Sequence, residues 1–380
     1  MRDDGLERSA VLSEPVTVVE RAMAVPDGRK RRATVVDACG APVVDAGTFR
    51  HDSFVAAEFV DRDKEPPVEK LAGTWLFGGM FWLHFGHFLF ETISRLWAVP
   101  GLRGQVDGIV FFRSHAHREP PRLFSTILQR LDIDLPIRFI DSPTEFERLV
   151  VPRQGCGMGA LSAGTPAFRA FVRDRLQTIA PRVGAERIYL TREGYRLQRG
   201  GIFAESHLRG LLEAEGYTAF SPEQHAFDVQ VATYLGARHI VGPDSSALHL
   251  VGFTAPPEAE VAILLRRHGG ERDVLPQLAG FMGRRPLVVD AIARLYRRDN
   301  ERNPNWSLFA ELDLPMLGAA LQDGGFIEGV ARWRPLRGAT RQALLVKYEK
   351  VLGAPFSMIW QRRQKAAGAE QGRAGAEGGT

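Results

Sequence analysis

Apolar residues recur along this chain in two rhythms: short unbroken runs bounded by Gly, Pro and Asp, and longer stretches with a helical period. The runs at 16–19 and 34–36 read as strands separated by turns. The run 71–77 predicts a buried strand ended by Gly78-Gly79. A helix then spans about 82–97 and stops before Pro100. Strands are expected at 108–112, 137–140 and 148–151, with a helix at 121–131 opened by Pro120-Pro121. The order βαβαββ is that of an open α/β sheet. After a Gly- and Ser-containing loop at 154–164, the helix 166–179 puts Phe168, Phe171, Val172, Leu176 and Ile179 on one face.

The second half is clearer. Strands are predicted at 187–190, 217–220, 239–241, 261–265 and 286–289, with helices at 205–214, from Ser221 to about Leu235, and at 245–253. Ser221-Pro222-Glu223-Gln224 has the form of a capping box. This alternation implies a parallel, doubly wound sheet, in which ligands bind at the carboxyl ends of strands. The expected domains are therefore 1–165 and 166–300. A helical segment at 301–365 and a disordered Ala/Gly-rich tail at 366–380 follow.

Composition narrows the class. The chain has 380 residues, 44% hydrophobic and 25% charged, which suits two globular domains and excludes collagen, long coiled coil and wholesale disorder. Two cysteines, Cys39 and Cys156, are too few for a disulfide framework or a Cys-based zinc site, and fit a reducing compartment. MRDDGLERSA lacks the apolar core of a secretory signal, so a cytoplasmic location is expected. Residues 71–90 contain no Asp, Glu, Lys or Arg and are long enough to span a bilayer, but their glycines and His84 and His87 favour a strand, a turn and a helix. The net charge is +4, and 43 of the 49 basic residues are arginine, a skew that reads as compositional bias. The segment 331–365 is basic and interleaved with Trp333, Tyr348, Phe356 and Trp360. It suits either a peripheral contact with the anionic inner face of a membrane or ordinary helices packed on the domains. No nucleic-acid-binding motif is present.

Three stretches carry candidate chemistry. On a helix, His84, His87, Glu91 and Arg95 share one face, a polar stripe that lining a cleft would satisfy. The plainer alternative pairs Glu91 with Arg95 and bonds the histidines to backbone. A metal site from His84, His87 and Glu91 lacks a matching second pair of ligands. Next, a strand delivers Thr191-Arg192 into a loop with Arg196, Arg199 and Gly200-Gly201 before Glu205, and arginine forks suit phosphate oxygens. Last, a strand runs through Gly242-Pro243 into Asp244-Ser245-Ser246 at a helix start. That start is either an anion site, a helix cap, or both. Asp244, Ser245 and His249 do not make a hydrolase triad, because no G-x-S-x-G elbow is present.

The order of these motifs resembles glycosyltransferase family 61. The matches are His87-Phe88-Leu89 with Glu91 and Arg95-Leu96; Ile188-Tyr189-Leu190-Thr191-Arg192; Arg199 and Ala204-Glu205; Gly216-Tyr217 and Pro222-Glu223; and Ile240-Val241-Gly242 leading to Ser246-Ala247-Leu248. The chain departs from the family pattern at Ala204 (Asn there), Asp244-Ser245 (His-Gly) and His249-Leu250 (Thr-Asn), which bears on donor identity. The resemblance implies a GT-B-like α/β enzyme of two Rossmann-like domains facing a cleft, with C-terminal helices. It would move a sugar, with inversion, from a nucleotide-sugar co-substrate to a glycan of surface-polysaccharide type, free or lipid-linked, without a cofactor or metal. Arg192, Arg199, Glu205, Pro243, Asp244, Ser245 and Ser246 would hold the donor. His84 and Arg95 would face the acceptor. His87 would act as base, with Glu91 as partner or rival. The rival class is a non-catalytic glycan- or nucleotide-binding protein on the same fold.

Overall fold

The computed structural model describes residues 15–27, 32–50, 53–55, 58–114, 119–179, 183–193, 199–299 and 307–362. Arg196 and the segment 366–380 lie outside them. The first half runs β1 (Val16–Glu20), β2 (Met23–Asp27), β3 (Arg32–Val36), β4 (Thr48–Arg50), β5 (Ser53–Val55), β6 (Glu69–Phe81), α1 (Phe85–Phe90), a 3-10 stretch Thr92–Leu102, β7 (Gly108–Arg113), α2 (Arg122–Arg130), β8 (Ile137–Ile140) and β9 (Thr144–Pro152). β6 to β9 form a parallel core in the order β9-β6-β7-β8, and β1, β2 and β3 extend it antiparallel beyond β9. β7 is buried along nearly its whole length, as an unbroken apolar run in a parallel sheet must be.

Two expectations change here. Gly78-Gly79 do not end the strand. β6 continues to Phe81, and the register against β7 shifts between Phe77 and Gly79. Gly79 sits at φ +90°, a conformation open to glycine, so the pair makes a bulge inside the strand. The helix predicted at 82–97 breaks after six residues. Thr92 Oγ1 accepts from Trp82 N at 2.8 Å and donates to Met80 O, and Ser94 Oγ donates to Glu91 O at 2.6 Å. These side chains hold backbone groups near the end of β6 and the start of the next turn, and the chain tightens to 3-10 geometry from Thr92.

The second half runs α3 (Pro166–Leu176), β10 (Arg187–Leu190), β11 (Gly201–Ile202), α4 (Glu205–Glu213), β12 (Thr218–Phe220), α5 (Phe227–Gly236), β13 (His239–Pro243), α6 (Ala247–Thr254), β14 (Glu260–Leu264), α7 (Val274–Met282) and β15 (Leu287–Val289). Its sheet is parallel throughout, in the order β12-β10-β13-β14-β15. The winding direction reverses between β10 and β13. The expected capping box is not formed: Ser221 makes no side-chain cap bond, Pro222–Gln224 is a separate 3-10 turn, and α5 begins at Phe227.

The remainder is β16 (Ile292–Arg298), β17 (Phe309–Leu312), α8 (Leu314–Asp323), α9 (Gly338–Leu352) and β18 (Phe356–Gln361). It is therefore not only helical. A further sheet has the order β11-β17-β16-β18, so the C-terminal strands reach back to the segment after Arg199. Trp333 is buried against Gly318, and Tyr348 packs on Phe203, Phe309 and Phe356. Trp360 packs on His268 at 4.6 Å. The aromatic residues of the basic segment thus serve packing. One apolar core runs from Leu76 and Phe88 through Phe168 and Phe253 to Trp333, joining both large sheets.

Candidate active site

α1 follows β6 after three residues, and His84 precedes it in extended conformation. One turn on, His87 Nδ1 lies 2.6 Å from Glu91 Oε2. A carboxylate only accepts, so Nδ1 carries the hydrogen and Nε2 is left as the ring's acceptor. The Glu91 side chain is 4% exposed and His87 22%, so the pair has a buried carboxylate behind an imidazole that reaches solvent. The rings of His84 and Trp82 flank His87 at 5.1 and 5.5 Å.

Arg95 leaves this stripe, and its assignment to the acceptor side is corrected. The break after α1 turns its side chain inward, where it is 2% exposed. Its guanidinium donates to the carbonyls of Asp45, Ala46, Gly47 and Pro152 and stacks on Phe77 at 5.3 Å. Burial presses its pKa down to about 9, opposed by Asp45. Arg95 ties the 44–47 turn to the end of β9, and no Glu91–Arg95 pair forms.

α1 meets α6 where Gly86 allows it. A Cβ at Gly86 would stand 3.0 Å from Ser246 Oγ and 3.2 Å from His249 Cδ2. The His249 ring packs on Phe90 at 5.0 Å, and its Nδ1 lies 2.5 Å from Gln277 Oε1. This contact brings His84 and His87 toward His249 and Arg199. Burial, and then the charges of His87, Arg199 and His249, push the pKa of His84 down to about 4. Burial likewise lowers His249.

The remaining expected residues stand at the carboxyl ends of the second sheet. Arg192 follows β10 and is half-buried; Arg199 is exposed. Pro243 is buried as the last residue of β13, and Ser245 and Ser246 are half-buried at the start of α6. Ser246 makes no side-chain cap bond. The two acids do not face outward. Glu205 Oε1 accepts from Arg192 N at 2.7 Å, Tyr189 OH at 3.0 Å and Thr191 Oγ1 at 3.1 Å, locking the end of β10 to the start of α4. Burial raises the pKa of Glu205. Asp244 is 1% exposed and, instead of capping α6, pairs with Arg266 at 2.9 Å and Arg267 at 3.2 Å. Ala204, before α4, sits at φ +61°, a left-handed conformation that Asn tolerates better than Ala.

Sequence reasoning passed over Arg266, Arg267 and Gln277. Arg266-Arg267 follow β14 as Arg192 follows β10, and the same strand-end rule would have found them. A cavity of about 330 Å³, lined by Glu260, Arg284, Leu287 and Phe326 among others, lies at the opposite, amino ends of β14 and β15. Among the described residues, no group of three or more His, Cys, Asp or Glu is placed to hold a metal ion. No described helix is long and apolar enough to cross a membrane.

Residues 85–262, from the start of α1 to within β14, match the family described as Glycosyltransferase 61. No curated protein matches. Among solved structures, the chain is similar to the bacterial iron-containing dodecameric glycosyltransferase TibC from enterotoxigenic E. coli H10407. That match has 12% identity and a TM-score of 0.30, and covers 90% of this chain and 97% of that one, a likeness too loose to carry an argument. The family match takes in the His87–Glu91 pair, Arg192, Arg199 and the start of α6 alike. Over this stretch the chain matches the glycosyltransferase 61 family, and the match supports a glycosyltransferase.

Proposed function

We propose that the enzyme transfers a sugar, with inversion, from a nucleotide-sugar to a hydroxyl of a glycan, in a GT-B-like arrangement of an acceptor half and a donor half. One observation carries this reading. Arg192 and the start of α6 flank the β10/β13 switch point of a doubly wound sheet, and α1, which bears His87 and is followed at once by Glu91, packs directly against α6. Switch points are where such sheets bind nucleotides.

In this mechanism, Arg192, Arg199 and the first amides of α6 hold the donor's diphosphate. His87 Nε2 takes the proton of the acceptor hydroxyl. The oxygen attacks the anomeric carbon from the face opposite the leaving group, and the bond from that carbon to the phosphate oxygen breaks. The nucleoside diphosphate departs with the electron pair, its charge offset by the guanidinium groups. Glu91 holds His87 in the tautomer this step needs and stabilises the imidazolium formed. Glu205 fixes the backbone of Arg192 and leaves phosphate contact to the arginine.

The test is binding and transfer with UDP-, GDP-, ADP-, CDP- and dTDP-linked sugars. One donor should bind and be turned over. Arg192→Ala should weaken that donor by about 10–100-fold, the worth of a charged hydrogen bond. His87→Ala should leave donor affinity intact and lower turnover by about 100-fold or more. Donor binding without hydrolysis or transfer would establish a binding protein instead. Binding of none of them would end the reading.

A further inference from the structure

Arg266 is the second residue past β14, on the same sheet end as Arg192 and the start of α6, and just beyond the residues that match the family. Its side chain is 7% exposed. Nε contacts the Asp244 carboxylate at 2.9 Å and the Asp244 carbonyl at 3.0 Å. Nη1 is buried and has no hydrogen-bond partner among the described residues. A buried guanidinium nitrogen left unpaired is costly unless something arrives to accept from it. The charged groups around it are Arg192, Arg267, Asp244 and Glu205. Both carboxylates are already engaged, Asp244 with the two arginines and Glu205 with the end of β10. The cluster therefore carries an excess of positive charge beside an uncapped helix start.

We propose that Arg266 is a donor-diphosphate contact whose Nη1 donates to a phosphate oxygen, and that Asp244 is the positioning residue that aims it. This assignment rests on the nucleotide-sugar reading above. It explains the Asp that replaces the family's His, which holds the 265–273 loop rather than touching the ligand. Gly270 lies directly over it, and a Cβ there would fall 1.5 Å from Asp244 Oδ2. Any side chain at 270 would push the loop, and Arg266 with it, off the carboxylate.

The experiment measures binding of inorganic pyrophosphate and of UDP, GDP, CDP, ADP and dTDP to the full chain by calorimetry. Arg266→Gln should weaken whichever probe binds by about 10–100-fold. Arg266→Lys, which keeps the charge, should still lose about 5-fold or more, because a point charge does not replace the fork. Asp244→Asn gives the sharper reading. Removing an anion from a phosphate site strengthens binding if Asp244 acts only through its charge, and weakens it if Asp244 aims Arg266. Tighter binding in Asp244→Asn, or unchanged affinity in Arg266→Gln, overturns the proposal while leaving the donor reading intact. If the wild-type chain binds no probe, both fall. Where Arg266→Gln does not fold, a wild-type crystal soaked with the bound probe decides: a phosphate out of hydrogen-bond reach of Nη1 overturns the assignment.

Discussion

At the scale of single residues, geometry separates side chains that one helical stripe had grouped. His87 and Glu91 stay together because i and i+4 meet on the last turn of α1. Arg95 departs because the helix does not reach it. The stripe was legible as chemistry, but its continuity depended on Thr92 and Ser94 bonding the backbone, which periodicity does not register. His84 yields a pH prediction. Folded, it stays neutral down to about 4, whereas in the unfolded chain it protonates near 6.5. Within that window the unfolded state binds more protons, so stability falls as pH drops from about 6.5 toward 4. The His84 side chain is exposed to solvent, however, which screens much of this effect, so the expected change is small. Melting temperatures of wild type and His84→Asn at pH 7 and pH 5 test this. The wild type should lose more over the interval, and parallel losses would count against it.

At the scale of elements, most strands and helices of the two large sheets were readable, because unbroken apolar runs and amphipathic faces are local properties. What was not readable arose where a tertiary contact overrides local preference. β6 passes through two glycines because its neighbour β7 continues to pair with it across a bulge. The Asp-Ser-Ser segment before α6 reads as a cap, but Asp244 is drawn to two arginines that follow another strand. The α1–α6 contact was invisible for the same reason, since it joins residues 160 positions apart through a glycine that looks unremarkable in sequence. Gly86→Val tests it. The added branches cannot fit within about 3 Å of Ser246 and His249 without parting the helices. Since misplacing a reacting group by about 1 Å costs on the order of 100-fold, turnover should fall by at least about 10-fold, with donor affinity within about 3-fold. A variant with normal turnover would show that the helices do not need this contact.

At the scale of the whole molecule, the alternation of elements announced an α/β protein, but the small sheet built by the C-terminal strands was not anticipated. The segment 331–365 drew attention for its charge, and its aromatic residues turned out to be anchors. Trp333, 2% exposed, is the clearest. Trp333→Ala should cost about 3–5 kcal/mol, read as a shift in the urea midpoint. A shift under about 1 kcal/mol would mean that this part of the chain is peripheral. The four-stranded sheet links the C-terminal strand to the segment after Arg199, since β18 pairs with β16, β16 with β17, and β17 with β11, the two residues that follow Arg199 and Gly200. During synthesis, β11 is therefore waiting for a strand that leaves the ribosome about 110 residues later. Until then the segment bearing Arg199 has no finished support, so a nascent or clipped polypeptide could own a folded acid–imidazole pair and still lack the proposed grip on a sugar donor.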